Sequence, residues 1–485
     1  MQIDKDLLSI QEARHLAAQA YEAQLIWGKA SQEQVDRVCA AMAEAGYQAA
    51  DRLGQMASEE TGYGVSAHKK LKNELASRVL WESIREVKTV GVVNHDADRR
   101  IYEIAWPMGV VAALTPSTNP TSTVMAKAIS AVKARDAIVL APHPSAVNCS
   151  YETAHTLQQA AENAGAPAGL INCMRNISIA GTQELMKHKR VRLILATGGG
   201  GMVKAAHSVG KPAYGVGPGN VPAYVDRSAD LEKSARYIVS SKSFDYSLIC
   251  ATEQSVVADK PIADRLAQLM QEQGAFFADE KTANILRHIL FNSDGSMNVA
   301  TVGKSPQFLA QLGGFEVPQE ARIIVVRLNR VGPEEPLSRE KLTTVLGWYE
   351  EEGWEKSCER CIELIHFGGR GHSLVLHATD QDVIMAFGLE KPVFRILVNT
   401  MSTLGAVGLT TGVMPSLTLG AGGEGGSVTG DNITVHHLFN IKRLAYEISP
   451  PPDAAMVGSK TISGPTQQEL ASIIRQVMQE VLAQN

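Results

Sequence analysis

The chain has 485 residues, 45% hydrophobic and 20% charged, which suits a globular protein with two or three units and substantial cores. Its 46 basic and 51 acidic side chains leave a net charge of −5, which gives no support to a nucleic-acid or anionic-membrane partner. No apolar run is long enough to span a bilayer, and the N-terminus MQIDKDLLSIQEARHLA is charged, helical in pattern and without a signal-peptide core, so a cytoplasmic protein is expected.

Residues 1–86 read as helices, through Ala-rich periodic stretches such as EARHLAAQAYEAQL. From about 88 short β-branched runs alternate with amphipathic helices: GVVAALTP, STVMAKAISAVKAR, DAIVLAP, CSYETAHTLQQAAENAG, GLINCM, TQELMKHK and VRLILAT. That alternation predicts βαβ units and a parallel sheet. A second α/β series follows the Gly-rich segment at 215–219, with TEQSVVAD, IADRLAQLMQEQG, RIIVVRL, a helix near 354–367, HSLVLHA and FRILVNT. The expected class is α/β, a Rossmann-type nucleotide-binding unit plus a second α/β unit. The boundary is placed near 228, at the end of NVPAYVD.

Residues 448–465, with Pro, Gly and Ser and no periodicity, read as a linker. Beyond it, Leu470, Ile473, Ile474, Val477, Val481 and Leu482 fall on one helical face, and Thr466 with Glu469 forms a capping box. A short tethered amphipathic helix cannot bury its apolar face alone, so 466–485 needs a surface to dock on. The six cysteines are scattered and read as thiols in a reducing compartment. Cys358 and Cys361 form a CxxC in a helical, Glu-rich stretch, and incidental helix neighbours describe them better than metal ligands.

Several segments carry chemistry. In FDYSLICATEQ, Cys250 sits on a helix-to-strand connection, where a thiol can reach a cleft, although free Cys is commonly a buried packing residue. LTPSTNPTST ends a strand and precedes a helix, the place where open parallel sheets bind ligands. Its Asn119 can supply an amide N–H2 to an oxyanion, or it can simply cap the helix. ATGGGGMVKAAHSVG runs from a strand through four glycines into a helix, leaving bare N–H groups for an anion, or room for close strand–helix packing. Gly215, Gly217 and Gly219 suggest backbone bends beside a ligand. Glu334, Glu335 and Glu340 are candidate sugar-hydroxyl acceptors or a solvated acidic turn. SLTLGAGGEGGSVTGDN reads as a loop near the site or a plain connection.

Taken together, in this order and over roughly residues 5–445, these segments resemble the aldehyde dehydrogenase superfamily, and specifically its CoA-acylating branch. SKSFDYSLICATEQSV looks like the nucleophile segment, LTPSTNPTST like the Pro-x-Asn segment, and MPSLTLGAGGEGG and HHLFNIKR like the branch's C-terminal signature. The resemblance implies Cys250 as nucleophile and Asn119, with the Cys250 N–H, as oxyanion hole. It implies Thr115, Pro116, Pro142, His143, Thr197, Gly198, Gly199 and Gly217 at the cofactor site. It implies Glu335 as the glutamate that holds the nicotinamide ribose, with Leu337 where an aromatic is usual. Ala141 stands where hydrolytic relatives carry a lysine, which leaves NAD and NADP both open, NAD being the branch's usual cofactor. The implied division is 1–228 for the N-terminal helices and nucleotide-binding domain, 229–420 for the catalytic domain, and 421–447 for a return and oligomerisation segment.

Hydrolytic relatives also carry a glutamate base where this chain reads Tyr214-Gly215-Val216-Gly217. Without a base to activate water, an acyl-enzyme is expected to persist until coenzyme A takes the acyl group. The expected reaction is CoA-acylating oxidation of acetaldehyde or propionaldehyde, with hydrolysis to the free acid as the alternative. The tail 466–485 resembles the encapsulation peptides that bind microcompartment shells, which implies a shell protein as partner and a microcompartment lumen as location. The alternative is a helix that docks on a neighbouring subunit. A homo-oligomer, dimer or tetramer, is expected from the resemblance alone.

Overall fold

The computed structural model describes residues 4–449 and 466–482. Four long helices open the chain, at Lys5–Trp27, Gln32–Gln48, Ala50–Thr61 and Ser66–Glu74. Ala13, Ala17 and Ala20 of the first are fully buried, and such small side chains at helical spacing let neighbouring backbones approach closely. Ser31 and Gln34 close a reciprocal capping box at the second, satisfying N–H groups that the helix itself leaves unpaired.

Two antiparallel strands, β1 (Gly91–Asp96) and β2 (Ile101–Pro107), come next. They precede a parallel sheet of β3 (Val110–Thr115), β4 (Ala137–Pro142), β5 (Ile171–Cys173), β6 (Val191–Thr197) and β7 (Ala213–Val216), in the spatial order 5-4-3-6-7. A second parallel sheet holds β8 (Val221–Val225), β9 (Glu253–Asp259), β10 (Ala275–Phe277), β11 (Ile323–Arg327), β12 (Val345–Glu351), β13 (Leu374–His377) and β14 (Ile396–Val398), ordered 10-11-12-9-8-13-14. Every residue of β3, β4 and β9 is buried. A parallel strand covered on both faces has no polar side to alternate with, which is why β3 and β4 read as near-continuous apolar runs.

The α/β architecture agrees with the expectation, and the boundary at 228 does not. NVPAYVD forms β8, a central strand of the second sheet that pairs with β9 and β13. The change of sheet therefore falls in the Gly217–Asn220 connection. A strand's own residues do not encode which distant strand will accept its hydrogen bonds. The chain then returns: β15 (Phe439–Ala445) pairs antiparallel with β2 over seven residues, completing a three-stranded sheet. Strands β1, β2, β7, β10, β12 and β15 did not stand out in the sequence.

The C-terminal helix spans Gln467–Leu482. Its capping box is present, with Thr466 N donating to Glu469 Oε2 at 2.8 Å and Glu469 N to Thr466 Oγ1 at 3.4 Å. Leu470, Ile473 and Ile474 are each about half exposed. Most of the expected linker, 450–465, lies outside the described residues. No helix among the described residues is long and apolar enough to cross a membrane.

Candidate active site

In the first sheet β3 has β4 on one side and β6 on the other, so the chain's winding reverses between β3 and β6. Ligands bind in the crevice outside the strand C-termini at such a switch point. A cavity of about 410 Å³ opens there. Pro116 and Asn119 reach it from beyond β3, Thr197 and Gly198 from β6, and Cys250 from the segment before β9. Among the six cysteines Cys250 alone is not buried. An accessible thiol is a requirement for a nucleophile, and the other five pack.

The segment that presents Cys250 is held under backbone strain. Helix Leu231–Ser243 ends at Phe244, and the next three residues, Asp245, Tyr246 and Ser247, have φ of 47°, 51° and 69°. Non-glycine residues in this region cost about 1–3 kcal/mol each and persist only where surroundings over-determine them. Here buried polar groups do so. Asp245 Oδ1 accepts from Val65 N at 2.7 Å, Asp245 Oδ2 from both Lys69 and Lys72, and the Asp245 N–H donates to His68 Nδ1 at 2.9 Å. On the other side Lys242 Nζ donates to Ser247 Oγ at 3.0 Å. Burial alone would raise the Asp245 pKa, but Lys72 and Lys69 outweigh it and hold the carboxyl below its ordinary value.

Asn119 stands at the N-terminus of helix Pro120–Lys133 without capping it. Its Oδ1 accepts from Lys72 Nζ at 2.6 Å, and its Nδ2 donates to Leu248 O and Thr118 Oγ1, each at 3.1 Å. The amide N–H2 thus lies along the segment leading to Cys250. Burial pushes the Cys250 thiol up to about 12, with the Glu340 carboxylate adding to the rise and Arg395 opposing it.

The glycine run fronts open space. A Cβ on Gly199, Gly200 or Gly201 would meet nothing within 4 Å, so close packing does not explain it. Gly199 caps and Gly200 and Gly201 begin helix Gly200–His207, whose first N–H groups have no partner within the helix, the form of a phosphate cradle. Gly198 and Gly199 line the cavity, and the Gly198 N–H is already taken by Val216 O at 3.4 Å. His143 and Gly217 also line the cavity. Thr115 and Pro142 do not reach its surface: they are the buried last residues of β3 and β4. The segment around 417–422 packs close to the site. Leu417 and Leu419 line the cavity, and Thr418 Oγ1 lies 3.0 Å from Thr197 Oγ1.

Glu335 is not in the cavity. It is 4% exposed and paired with Arg287, Nε to Oε1 at 3.0 Å and Nη2 to Oε2 at 2.8 Å. The carboxylate that does line the cavity is Glu340, with Leu342 beside it. Both glutamates sit in one irregular acidic turn, and only its tertiary path decides which faces the thiol. Enclosure raises Glu340 to about 7, and Gly219 N donates to its Oε1 at 2.9 Å. His372, which no sequence motif marks, is buried against Gly219, with Nε2 free of partners among the described residues. Burial and Arg395 push it down to about 3, so it is neutral.

Residues 7–276 match the aldehyde dehydrogenase family. Aldehyde-alcohol dehydrogenase 2 of Entamoeba histolytica is 40% identical over 424 residues, covering 86% of this chain and 49% of that protein. The chain spans about half the length of the aldehyde-alcohol dehydrogenases it matches. An acetylating aldehyde dehydrogenase from Geobacillus thermoglucosidasius is 47% identical, with a TM-score of 0.92 over 93% of this chain and 100% of its own. A propionaldehyde dehydrogenase from the Clostridium phytofermentans fucose utilisation bacterial microcompartment is 28% identical, with a TM-score of 0.81 over 89% of this chain and 96% of its own. With the thiol, amide and glycine cradle gathered at one switch point, these matches lead to one conclusion: the chain belongs to the aldehyde dehydrogenase family.

Proposed function

We propose that this chain oxidises a short aliphatic aldehyde through a thioester on Cys250 and transfers the acyl group to coenzyme A, with a nicotinamide, NAD or NADP, as hydride acceptor. The observation that carries the reading is what borders the thiol at 214–217. No carboxylate stands in Tyr214-Gly215-Val216-Gly217, and a Cβ on Gly217 would meet open space. Water has no base there, and a pantetheine arm has room.

The residues fit a nicotinamide dinucleotide. Gly198, Gly199 and the N-terminus of helix Gly200–His207 would hold its diphosphate, with Pro116, His143 and Thr197 alongside. Glu340 takes the ribose contact first expected of Glu335. When bound, the nicotinamide supplies the hydride acceptor. Cys250, once deprotonated, adds to the aldehyde carbon. The Asn119 N–H2 and the Cys250 N–H are the donors to the resulting oxyanion. Loss of hydride from that carbon leaves a thioester on Cys250. A CoA thiolate then displaces Cys250, exchanging one thioester for another of similar energy.

The wall favours an uncharged aldehyde. Val299, Val302, Leu342, Val407, Leu417 and Leu419 line it, with no Lys or Arg among the lining residues. A carboxylate or sulfonate on the substrate would go unpaired there, at a cost of about 1–3 kcal/mol or more. The exposed apolar side chains of the Gln467–Leu482 helix suit docking on a microcompartment shell protein. The half-exposed Trp106, Leu444 and Tyr446 on or next to β2 and β15 suit contact with another copy of the chain, as a dimer or tetramer.

The test is NADH formation from acetaldehyde and propionaldehyde by the purified protein, with and without CoA, beside Cys250→Ala. Sustained turnover only with CoA, lost in the variant, supports the reading. Equal turnover without CoA makes the enzyme hydrolytic and overturns it.

A further inference from the structure

Three charged side chains lie buried behind the site, and the reaction as described does not use them. Lys69 and Lys72, one turn apart on helix Ser66–Glu74, are 2% and 4% exposed, and Asp245 is fully buried. Both lysines reach the same carboxylate oxygen, Asp245 Oδ2. Lys69 also donates to Thr118 O at 3.3 Å, and Lys72 to Asn119 Oδ1 at 2.6 Å. One lysine would neutralise Asp245. A second buried ammonium leaves surplus positive charge out of water, which is costly unless something uses it.

We propose that Lys72 is a positioning residue that sets the orientation of the Asn119 amide and ties it to the strained turn carrying Cys250. The inference rests on the reading of Asn119 as oxyanion donor. In its charged form Lys72 can only donate, and the amide atom facing it is then the carbonyl oxygen, Oδ1, at 2.6 Å. The N–H2 is then forced to the opposite side, toward Leu248 O, two residues before Cys250. The same ammonium bonds Asp245, the first left-handed residue of the turn. One side chain therefore fixes the oxyanion donor and the nucleophile's anchor relative to each other. It acts electrostatically as well: a cation on the amide oxygen draws electron density from the N–H2 and strengthens its donation to a developing negative charge. Burial, with Lys69 adding to it, pushes Lys72 down to about 7 against the pull of Asp245. Its proton is thus loosely held at rest, and a negative charge forming nearby would hold it more firmly.

The test is a double-mutant cycle with CoA-dependent NADH formation as readout. Lys72→Met leaves Lys69 and Asp245 as a matched pair, so the variant is expected to fold with an unfolding midpoint no lower than that of the parent. Its kcat is expected to fall about tenfold or more with KM little changed, as for a misaimed oxyanion donor. Lys72→Met/Asn119→Ala is expected to be no slower than Asn119→Ala alone. Lys69→Met, which loosens Asp245 without touching Asn119, is expected to add its full effect to Asn119→Ala. An unchanged kcat in Lys72→Met, or a loss that adds in full to that of Asn119→Ala, overturns the proposal. Should Lys72→Met not fold, Lys72→Gln, which keeps one donor, gives the same test with a smaller fall. If the parent shows no aldehyde turnover, the functional reading fails, and the crystal structure of Lys72→Met decides the positioning separately. An Asn119 amide rotated away from Leu248 O supports it, and an unmoved amide overturns it.

Discussion

The backbone N–H of Gly219 donates to Glu340 Oε1 at 2.9 Å, and a Cβ on Gly219 would lie 2.3 Å from the carbonyl oxygen of Cys250. The chain between the two sheets thus runs directly against the nucleophile and holds a carboxylate beside it. That carboxylate helps to keep the thiol protonated at rest.

Glu340→Gln should therefore make Cys250 more reactive. Gln keeps an oxygen for Gly219 N but carries no charge, so the Cys250 pKa should fall. Glu340 itself titrates at about 7. At pH 8 it is mostly ionised and the variant differs from the parent, while at pH 6 it is mostly protonated and the two converge. Iodoacetamide alkylation of Cys250 reads the thiolate fraction. A variant no faster than the parent at pH 8 would contradict this.

Gly217→Glu should place a carboxylate base in the 214–217 stretch, where this chain has none. Position 217 lines the cavity, and a Cβ there would meet nothing within 4 Å. A carboxylate able to activate water should raise CoA-independent NADH turnover about tenfold or more. Gly215 is no substitute position, since its Cβ would come within 2.6 Å of Val203 and His207. Persistence of strict CoA dependence in Gly217→Glu would mean that missing water activation is not what protects the thioester.

Asp245→Asn should destabilise the fold by about 3 kcal/mol, because it leaves the buried Lys69 and Lys72 amino groups without their counter-charge. Asn tolerates the left-handed backbone, so the loss reports charge rather than strain. The sign with pH follows from linkage. Asp245 is held below its unfolded pKa, so its contribution is present above that value and lost as pH falls through the folded pKa. Urea unfolding at pH 7 and in the acid range measures both. A variant within about 0.5 kcal/mol of the parent at pH 7 would mean that the lysines shed their protons at little cost.

Removing 466–485 should leave solution turnover unchanged while abolishing co-sedimentation with assembled shells. A fluorescent protein carrying 466–485 should in turn be recruited to them. Loss of turnover on truncation would instead place the helix on a neighbouring subunit.

Local pattern made much of this molecule legible. The βα alternation, the nucleophile segment, the glycine run and the 466–469 capping box all rest on contacts between residues close in sequence or on backbone freedom at one position. What failed depended on distant partners. Hydrogen bonding from β9 and β13 draws NVPAYVD into the second sheet. Glu335 and Glu340 were equivalent acidic residues until Arg287 claimed one and Gly219 the other. Nothing local in the His68-Lys69-Lys70-Leu71-Lys72 run reveals that two of its lysines are buried on Asp245, more than 170 residues away.

The sequence by itself determined the chemistry on offer: a thiol on a connection, an amide after a strand, bare N–H groups for a phosphate, and no base at 214–217. Only the tertiary structure decided which carboxylate faces the thiol, which way the Asn119 amide points and what holds the strained turn. Those are matters of charge and hydrogen bonding between groups far apart in the chain, and their energies exist only once the two sheets have closed on each other.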